Sequence, residues 1–318
     1  MEKGGIMSTT TRGSSGVRDL LARAEQAAAA RDSGRALALF DACIGEYLRR
    51  KLYLKAIAVS RKAKTVLGPW PKVSALVIRT CRAAGLEGDA RTELEHAAAS
   101  LHRDKLGFFR ALDDEAFVDL LEVIDVVRVT RGRTVLRRFD AGDDVFVIVA
   151  GSCEILRDSR RLAVLKAGDV FGEIGFFSRS VRTATVKTME DCVLLRIPPG
   201  PLQELQERHL CLRQVLESVY SERIMKKVTE DLEEADPSAT TTEIFATLRY
   251  AKGQDIPLHP EGSVAVLKHG IVEVDYDNLC LKTKRYLRPG SIIDRKRGRA
   301  RASTNVVIML TNVLCRTP

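Results

Sequence analysis

Between Val17 and about Leu101, apolar residues recur at steps of three and four in text rich in Ala, Leu, Arg and Glu, a period that predicts stacked amphipathic helices. The stretch before them, MEKGGIMSTTTRGSSG, is polar and without period, which predicts a disordered tail over residues 1–16. From Val126 the period shortens. The runs VVRV, TVLRRF, DVFVIVAG and CEIL are rich in Val and Ile and punctuated by Gly132, Gly142 and Gly151, as short strands joined by turns in a sandwich or barrel would be. This strand text closes at VLLRIP (Val193 to Pro198) and gives way to a helical stretch from about Leu202 to Leu232. A polar segment, EEADPSATTTE, predicts a linker, after which strand text resumes.

Two internal echoes organise the chain further. Leu52-Tyr-Leu-Lys-Ala56 returns as Leu86-Glu-Gly-Asp-Ala90, and the same step of 34 residues separates Ala63 from Ala97. That is the period of tetratricopeptide repeats, whose small residues let paired helices approach closely, and residues 34–101 resemble that family. Ser60 stands where the repeat usually carries an aromatic, so a helical bundle without repeats stays open beside this reading. The second echo lies in the strands. Arg128 and Gly132 return as Arg249 and Gly253, VFVIVAGSCEIL returns as VAVLKHGIVEV, Gly151 as Gly270, and VLLRIP as VLCRTP at Val313 to Pro318. The offsets, 119 to 121 residues, drift only as loop lengths would make them drift, which predicts two domains of one type in tandem.

Within the first of these, Gly168-Asp-Val-Phe-Gly-Glu-Ile-Gly-Phe-Phe-Ser-Arg-Ser-Val-Arg-Thr-Ala-Thr-Val186 resembles the phosphate-binding cassette of cyclic-nucleotide-binding domains, the family of bacterial cAMP receptor regulators and kinase regulatory subunits. Phe171, Gly172, Glu173, Arg182, Ala184 and Thr185 match its pattern without a gap. The resemblance implies a ligand site of Phe171, Gly172, Glu173, Ile174, Arg182, Thr183 and Ala184. The chemistry suits these residue types. A cyclic phosphodiester presents one negative charge and two oxygens to a guanidinium fork, Arg182, while Glu173 can accept from a ribose hydroxyl and Gly172 lets the backbone come close. Thr183 is the position that bears on cGMP; the resemblance as a whole favours cAMP over cGMP. Val181 replaces the family's usual proline, and Gly175-Phe176 its commoner Ala-Leu. In the second copy Ile292-Ile293-Asp294 stands in place of Phe-Gly-Glu, and the span from turn glycine to arginine shortens, Gly290 to Arg301 against Gly168 to Arg182, which predicts a site that binds no nucleotide.

The expected fold is therefore multidomain α+β: an N-terminal helical repeat domain over 17–105, a cyclic-nucleotide-binding, jelly-roll-like β-barrel with its C-terminal helix over 106–233, a linker over 234–242, and a degenerate second barrel of the same type over 243–318. In the family, ligand draws in the helix after the cassette. Here that helix carries Leu212, Val215, Leu216, Val219 and Tyr220 as one stripe, suited to packing or to a lid.

At 318 residues and 45% hydrophobic, the chain is long enough for two or three such cores. No apolar run reaches the roughly 18 residues of a membrane span, and the start lacks a signal peptide's apolar core, which predicts a cytoplasmic protein. The seven cysteines form no C-x-x-C pair and the five histidines no ligand spacing, so neither a metal cofactor nor a catalytic constellation is expected. The net charge of +9 gathers between Lys282 and Arg301, as a solvated basic face or a nucleic-acid contact. These readings converge on a bacterial regulatory protein, not an enzyme, that binds a cyclic nucleotide and meets a protein partner through its helical repeats. A scaffold without ligand and a nucleic-acid-binding regulator using the basic region are the alternatives.

Overall fold

The computed structural model describes residues 12–157, 160–178, 181–235, 239–257, 263–278, 281–289, 291–293 and 300–315. The chain divides into two compact units. One runs through Arg128 and takes in Ala167–Asp169 and Val193–Leu212; the other comprises Val129–Lys166, Val170–Cys192 and the chain from Arg213 on.

The first unit opens with helices α1 (Arg12–Ala29), α2 (Ser33–Arg49), α3 (Tyr53–Leu67), α4 (Pro71–Ala83), α5 (Glu87–Ser100), α6 (Gly107–Arg110) and α7 (Asp114–Val123). Local chemistry sets several starts. The Asp32 carboxylate accepts from the Arg35 amide at 3.1 Å, Asp113 accepts from Ala116 at 2.7 Å, and Pro71 occupies the first turn of α4, where its missing N–H costs nothing. Helix α1 begins at Arg12, ahead of the Val17 start that periodicity suggests.

The 34-residue echo has a backbone counterpart. Before α3, the Lys51 amide donates to Leu48 at 2.9 Å and Leu52 to Tyr47 at 2.9 Å; before α5, Gly85 donates to Arg82 at 3.0 Å and Leu86 to Cys81 at 2.9 Å. Lys51 and Gly85 both take left-handed backbone, φ 57° and 74°. Ala56, Ala63, Ala90 and Ala97 are all buried. So is Ser60, whose hydroxyl donates to the Ile57 carbonyl at 2.9 Å, so the small side chain satisfies itself where a ring was expected. Between the helix pairs, Glu93 receives Lys64 at 2.5 Å and Ser74 at 2.9 Å.

The first strand group is β1 (Asp125–Val129), β2 (Thr134–Leu136), β3 (Val145–Ala150), β4 (Cys153–Arg157), β5 (Arg160–Leu165), β6 (Val170–Phe171), the short helix α8 (Glu173–Ser178), β7 (Thr185–Thr188) and β8 (Cys192–Ile197). Helices α9 (Pro199–Arg208) and α10 (Leu210–Ala235) follow, separated at His209, whose extended backbone (φ −114°, ψ 103°) breaks what the sequence reads as one helical stretch. The second group is β9 (Ala239–Tyr250), β10 (Asp255–Ile256), β11 (Ser263–His269), β12 (Val272–Asn278), β13 (Leu281–Leu287), β14 (Ile292–Ile293), β15 (Ala300–Ala302) and β16 (Val306–Cys315). Strand β9 begins inside the expected 234–242 linker because its Thr run is β-branched and suits a strand.

One sheet runs β2-β7-β4-β5 and another β10-β15-β12-β13, the same order eight strands on. Likewise β3 pairs antiparallel with β6 as β11 does with β14, and β1 lies beside β8 as β9 lies beside β16. Hydrogen bonding leaves the strands in open four-stranded sheets, not closed barrels. Cys43, Cys81, Cys153 and Cys192 are buried free thiols. Among the described residues no helix is long and apolar enough to cross a membrane.

The repeated corner makes a paired prediction. Gly85→Ala forces a side chain into left-handed backbone and lowers stability by about 1 kcal/mol, whereas Lys51→Gly relieves the same strain and raises it by about 0.5–1 kcal/mol. Urea midpoints followed by far-ultraviolet circular dichroism check both; equal and opposite signs to these would refute the shared corner geometry.

Candidate functional site

Strand β6 delivers the cassette. Its Phe171 ring stacks on Phe146 with centroids 5.1 Å apart, spending the side chain on core packing. The chain then turns at Gly172 with φ 89°, where a Cβ would stand 2.5 Å from the Asp144 carbonyl oxygen; only glycine fits. Helix α8 follows directly, and its first residue is Glu173.

Arg182 returns to the same place from the other side. The loop carrying it is fixed by the Arg182 amide donating to Asp140 at 2.9 Å and the Phe139 amide donating to Arg182 at 2.9 Å. The guanidinium donates through Nη1 to the Gly172 carbonyl at 3.0 Å and through Nη2 to the Asp144 carbonyl at 3.0 Å, and the residue is 4% exposed. Burial works against its charge, opposed by the carboxylates of Asp144, Asp143 and Glu173. Gly175 now has a reason: a methyl there would lie 3.0 Å from Arg182 Nη1 and 3.0 Å from the Gly142 carbonyl. The departure from alanine makes room for the arginine.

Glu173 is 1% exposed, and its Oε1 has no hydrogen-bond donor among the described residues. The nearest cation is Arg223 of α10, with Nη1 at 3.6 Å, an ion-pair distance too long for a hydrogen bond. Burial pushes the Glu173 carboxyl up from its ordinary value, against the pull of Arg223, its own backbone amide and Arg182. Arg182 is thus engaged by backbone carbonyls and Glu173 is left with an unfilled acceptor.

Of the remaining sequence-predicted positions, Thr183 and Ala184 are half-buried in the arginine loop. Ile174 packs into a cluster with Phe177, Tyr220, Ile224, Val266 and Met309. Helix α10 buries Leu212, Leu216, Tyr220 and Ile224 at steps of four. Tyr220 donates its hydroxyl to the Lys268 carbonyl, and its ring lies 4.8 Å from Phe177 and 5.1 Å from His269. Sequence reasoning missed Arg223 and His269. A signal for the arginine existed, since it stands three residues after Tyr220 and so shares its face of the helix; His269 has none.

In the second group β14 occupies the place of β6 by strand order, and Ile292 packs on the Tyr220 cluster. Residues 294–299, including Asp294 and most of the basic loop, lie outside the described residues. Arg301 sits within β15, the counterpart of β7 and not of the arginine loop, where it pairs with Asp255 at 2.9 Å.

Residues 126–209 match the family model of the cyclic nucleotide-binding domain. Curated relatives of the chain include a cAMP-dependent protein kinase regulatory subunit from Mucor circinelloides, 28% identical over 127 residues, covering 40% of this chain and 30% of the relative. The cGMP-dependent protein kinase egl-4 of Caenorhabditis elegans is 26% identical over 201 residues, covering 59% of this chain and 24% of the relative. The chain thus spans less than a third of the length of each. Among solved structures, the regulatory domain of Toxoplasma gondii PKA with cAMP covers 70% of this chain and 89% of its own at 14% identity, with a TM-score of 0.33. The expectation of a bacterial protein is overturned by the relatives, which are fungal, nematode and apicomplexan kinases or kinase subunits.

The buried carboxyl gives a pH prediction. An acid whose folded-state value is raised favours the folded state when protonated; that contribution is complete below its ordinary value of about 4.3 and is lost as pH rises through the folded value. Glu173→Gln, always neutral, should melt at or above the temperature of the native protein at pH 7.5, with the difference shrinking toward pH 4. Thermal melts across that range read it, and a lower melting temperature for E173Q at pH 7.5 would contradict the unfilled-acceptor geometry.

Proposed function

We propose that the chain is a cyclic-nucleotide-responsive regulatory protein, not an enzyme, whose ligand is held by Gly172, Glu173 and Arg182 and whose output is contact with a protein partner. The observation that carries this reading is the Glu173 carboxylate, nine-tenths buried and beyond, with one oxygen lacking a donor among the described residues. A buried acceptor without a donor is unfavourable, and a ribose hydroxyl fills it. Arg182 uses two of a guanidinium's five donors on backbone carbonyls, leaving others for an anion. The phosphodiester supplies that anion. Phe171 and Ile174 back the site from the core side, and Thr183 and Ala184 flank the arginine.

Arg223 and Tyr220 link this site to α10 in the proposal. A ligand that engages Glu173 competes for the carboxylate that Arg223 approaches, and so biases the helix between two positions. The relatives' names include both cAMP- and cGMP-dependent kinases, which supports a cyclic nucleotide without choosing one. We favour cAMP on the cassette as a whole, with Thr183 as the residue that would turn the preference to cGMP. We read 17–105 as tetratricopeptide-like and offered to the partner, 106–233 as the binding domain, and the strands beyond the linker as a second, degenerate copy in which Ile292 serves packing. A cytoplasmic location accords with this role.

Calorimetric titration with cAMP and with cGMP tests the reading. One ligand per chain is expected, and Arg182→Lys, which keeps the charge but loses the fork, should bind at least tenfold more weakly while melting within a few degrees of the native protein. Two ligands per chain would mean that the second copy binds. No binding to either nucleotide would leave a scaffold in place of a sensor.

A further inference from the structure

The repeat in the first unit contains its own control. The corner Arg49-Arg-Lys-Leu-Tyr-Leu-Lys55 and the corner Ala83-Ala-Gly-Leu-Glu-Gly-Asp89 stand 34 residues apart and have the same hydrogen bonds and the same backbone, with Leu52 at φ −90°, ψ 59° and Leu86 at φ −96°, ψ 67°. Small and acidic residues therefore suffice to build this corner. The first copy departs from them at every position except its leucine, and at three of those positions the departure is unfavourable for folding alone. Lys51 holds left-handed backbone that Gly85 adopts without strain. Lys55 places a cation in the first turn of α3, where α5 has Glu87 and Asp89 in accord with the helix dipole. Tyr53 is 40% and Leu54 83% exposed, where α5 has Glu87 and Gly88.

We propose that this corner is a docking surface for an acidic peptide segment with apolar anchor residues. Seven consecutive residues, 49–55, are all exposed. Arg49 and Arg50 both pair with Glu46 and the Lys55 ammonium lies 5.9 Å from the centre of the Tyr47 ring, so four exposed cations gather within seven residues. At their centre stand Leu52, Tyr53 and Leu54, an apolar anchor point with a basic rim, the arrangement that complements alternating acidic and apolar side chains. The chemistry fits a lipid surface less well. Beyond Leu54 the exposed face of α3 continues with Arg61 and Lys62, paired to Asp89 and Glu25, so no apolar stripe runs along the helix to enter a bilayer. Nucleic acid is the competing occupant for Tyr53, the one ring in the corner, but Leu52 and Leu54 beside it offer no surface on which a base could stack and suit apolar anchors instead.

This deepens the partner role proposed above, and its test involves no nucleotide, so either proposal can fail without the other. The second corner is transplanted into the first: Arg49→Ala, Arg50→Ala, Lys51→Gly, Tyr53→Glu, Leu54→Gly and Lys55→Asp together in the full chain. The transplant should melt within a few degrees of the native temperature, because the strain relieved by Lys51→Gly offsets the loss of the Glu46 pairs and the cost of Leu54→Gly in a helix. The probe is a short fluorescein-labelled peptide of alternating Glu and Leu, read by polarisation. The native chain should bind it saturably, and the transplant about tenfold more weakly or worse; Leu54→Glu alone should weaken binding while leaving the melt unchanged. A transplant that melts well below the native protein would show that the corner serves folding and overturn the proposal. So would equal peptide binding by both, or binding of phosphatidylserine vesicles or a single-stranded RNA in preference to the peptide.

Discussion

The cassette is arranged around one buried cation. A guanidinium at 4% exposure needs acceptors, and Arg182 finds them in the carbonyls of Gly172 and Asp144. Those contacts impose the rest. Gly172 must turn with positive φ hard against Asp144, and Gly175 must lack a methyl because the guanidinium lies where a Cβ would be. Glu173 begins its helix beside the same guanidinium, yet the arginine's donors already point to backbone, so among the described residues the carboxylate's Oε1 is buried without a hydrogen-bond donor. The two charges are neighbours without being a closed ion pair. That separates this arrangement from a structural Glu–Arg bridge, which would leave nothing for a ligand to satisfy.

Helix α10 gives this local imbalance a route outward. Tyr220 contacts Phe177 of the cassette helix on one side and His269 at the end of β11 on another, while Arg223, one turn further on, approaches Glu173. Ile292 adds a contact from the strand that takes the place of β6 in the second group. Ile292 therefore has a packing role. Ile292, Val266 and Met309 of the second strand group make up the surface against which Tyr220 and Ile224 of the helix are set.

How much of this the sequence discloses depends on whether a residue's neighbours are near in sequence. The step from Ala56 to Ala90 was legible because helix contact at small residues is a local, periodic demand. Gly172, Glu173 and Arg182 were legible because a turn, a helix start and a strand entry lie within one short segment. Phe171 and Ile174 belong to that segment too, but whether an apolar side chain faces ligand or core is decided by Phe146 and by α10, which the motif does not contain. His269 and Arg223 reach the cassette only through the path of a long helix, and neither motif nor period encodes that path. The Thr-rich start of β9 failed for another reason: threonine serves a turn and a strand equally well, and pairing with β16 decides between them.

The same distinction bears on charge. The densest basic text, from Lys282 onward, looks from sequence like the feature most in need of a polyanion. Its register places Lys282 opposite Asp277 and Lys284 opposite Asp275, and Arg301 pairs with Asp255. The corner at 49–55 is shorter and less conspicuous, but its equivalent corner at 83–89 shows that its charge and its apolar exposure are not required by the fold. Clustered charge beside exposed apolar surface is what an interacting segment would have to complement, and in the first unit the corner before α3 combines the two.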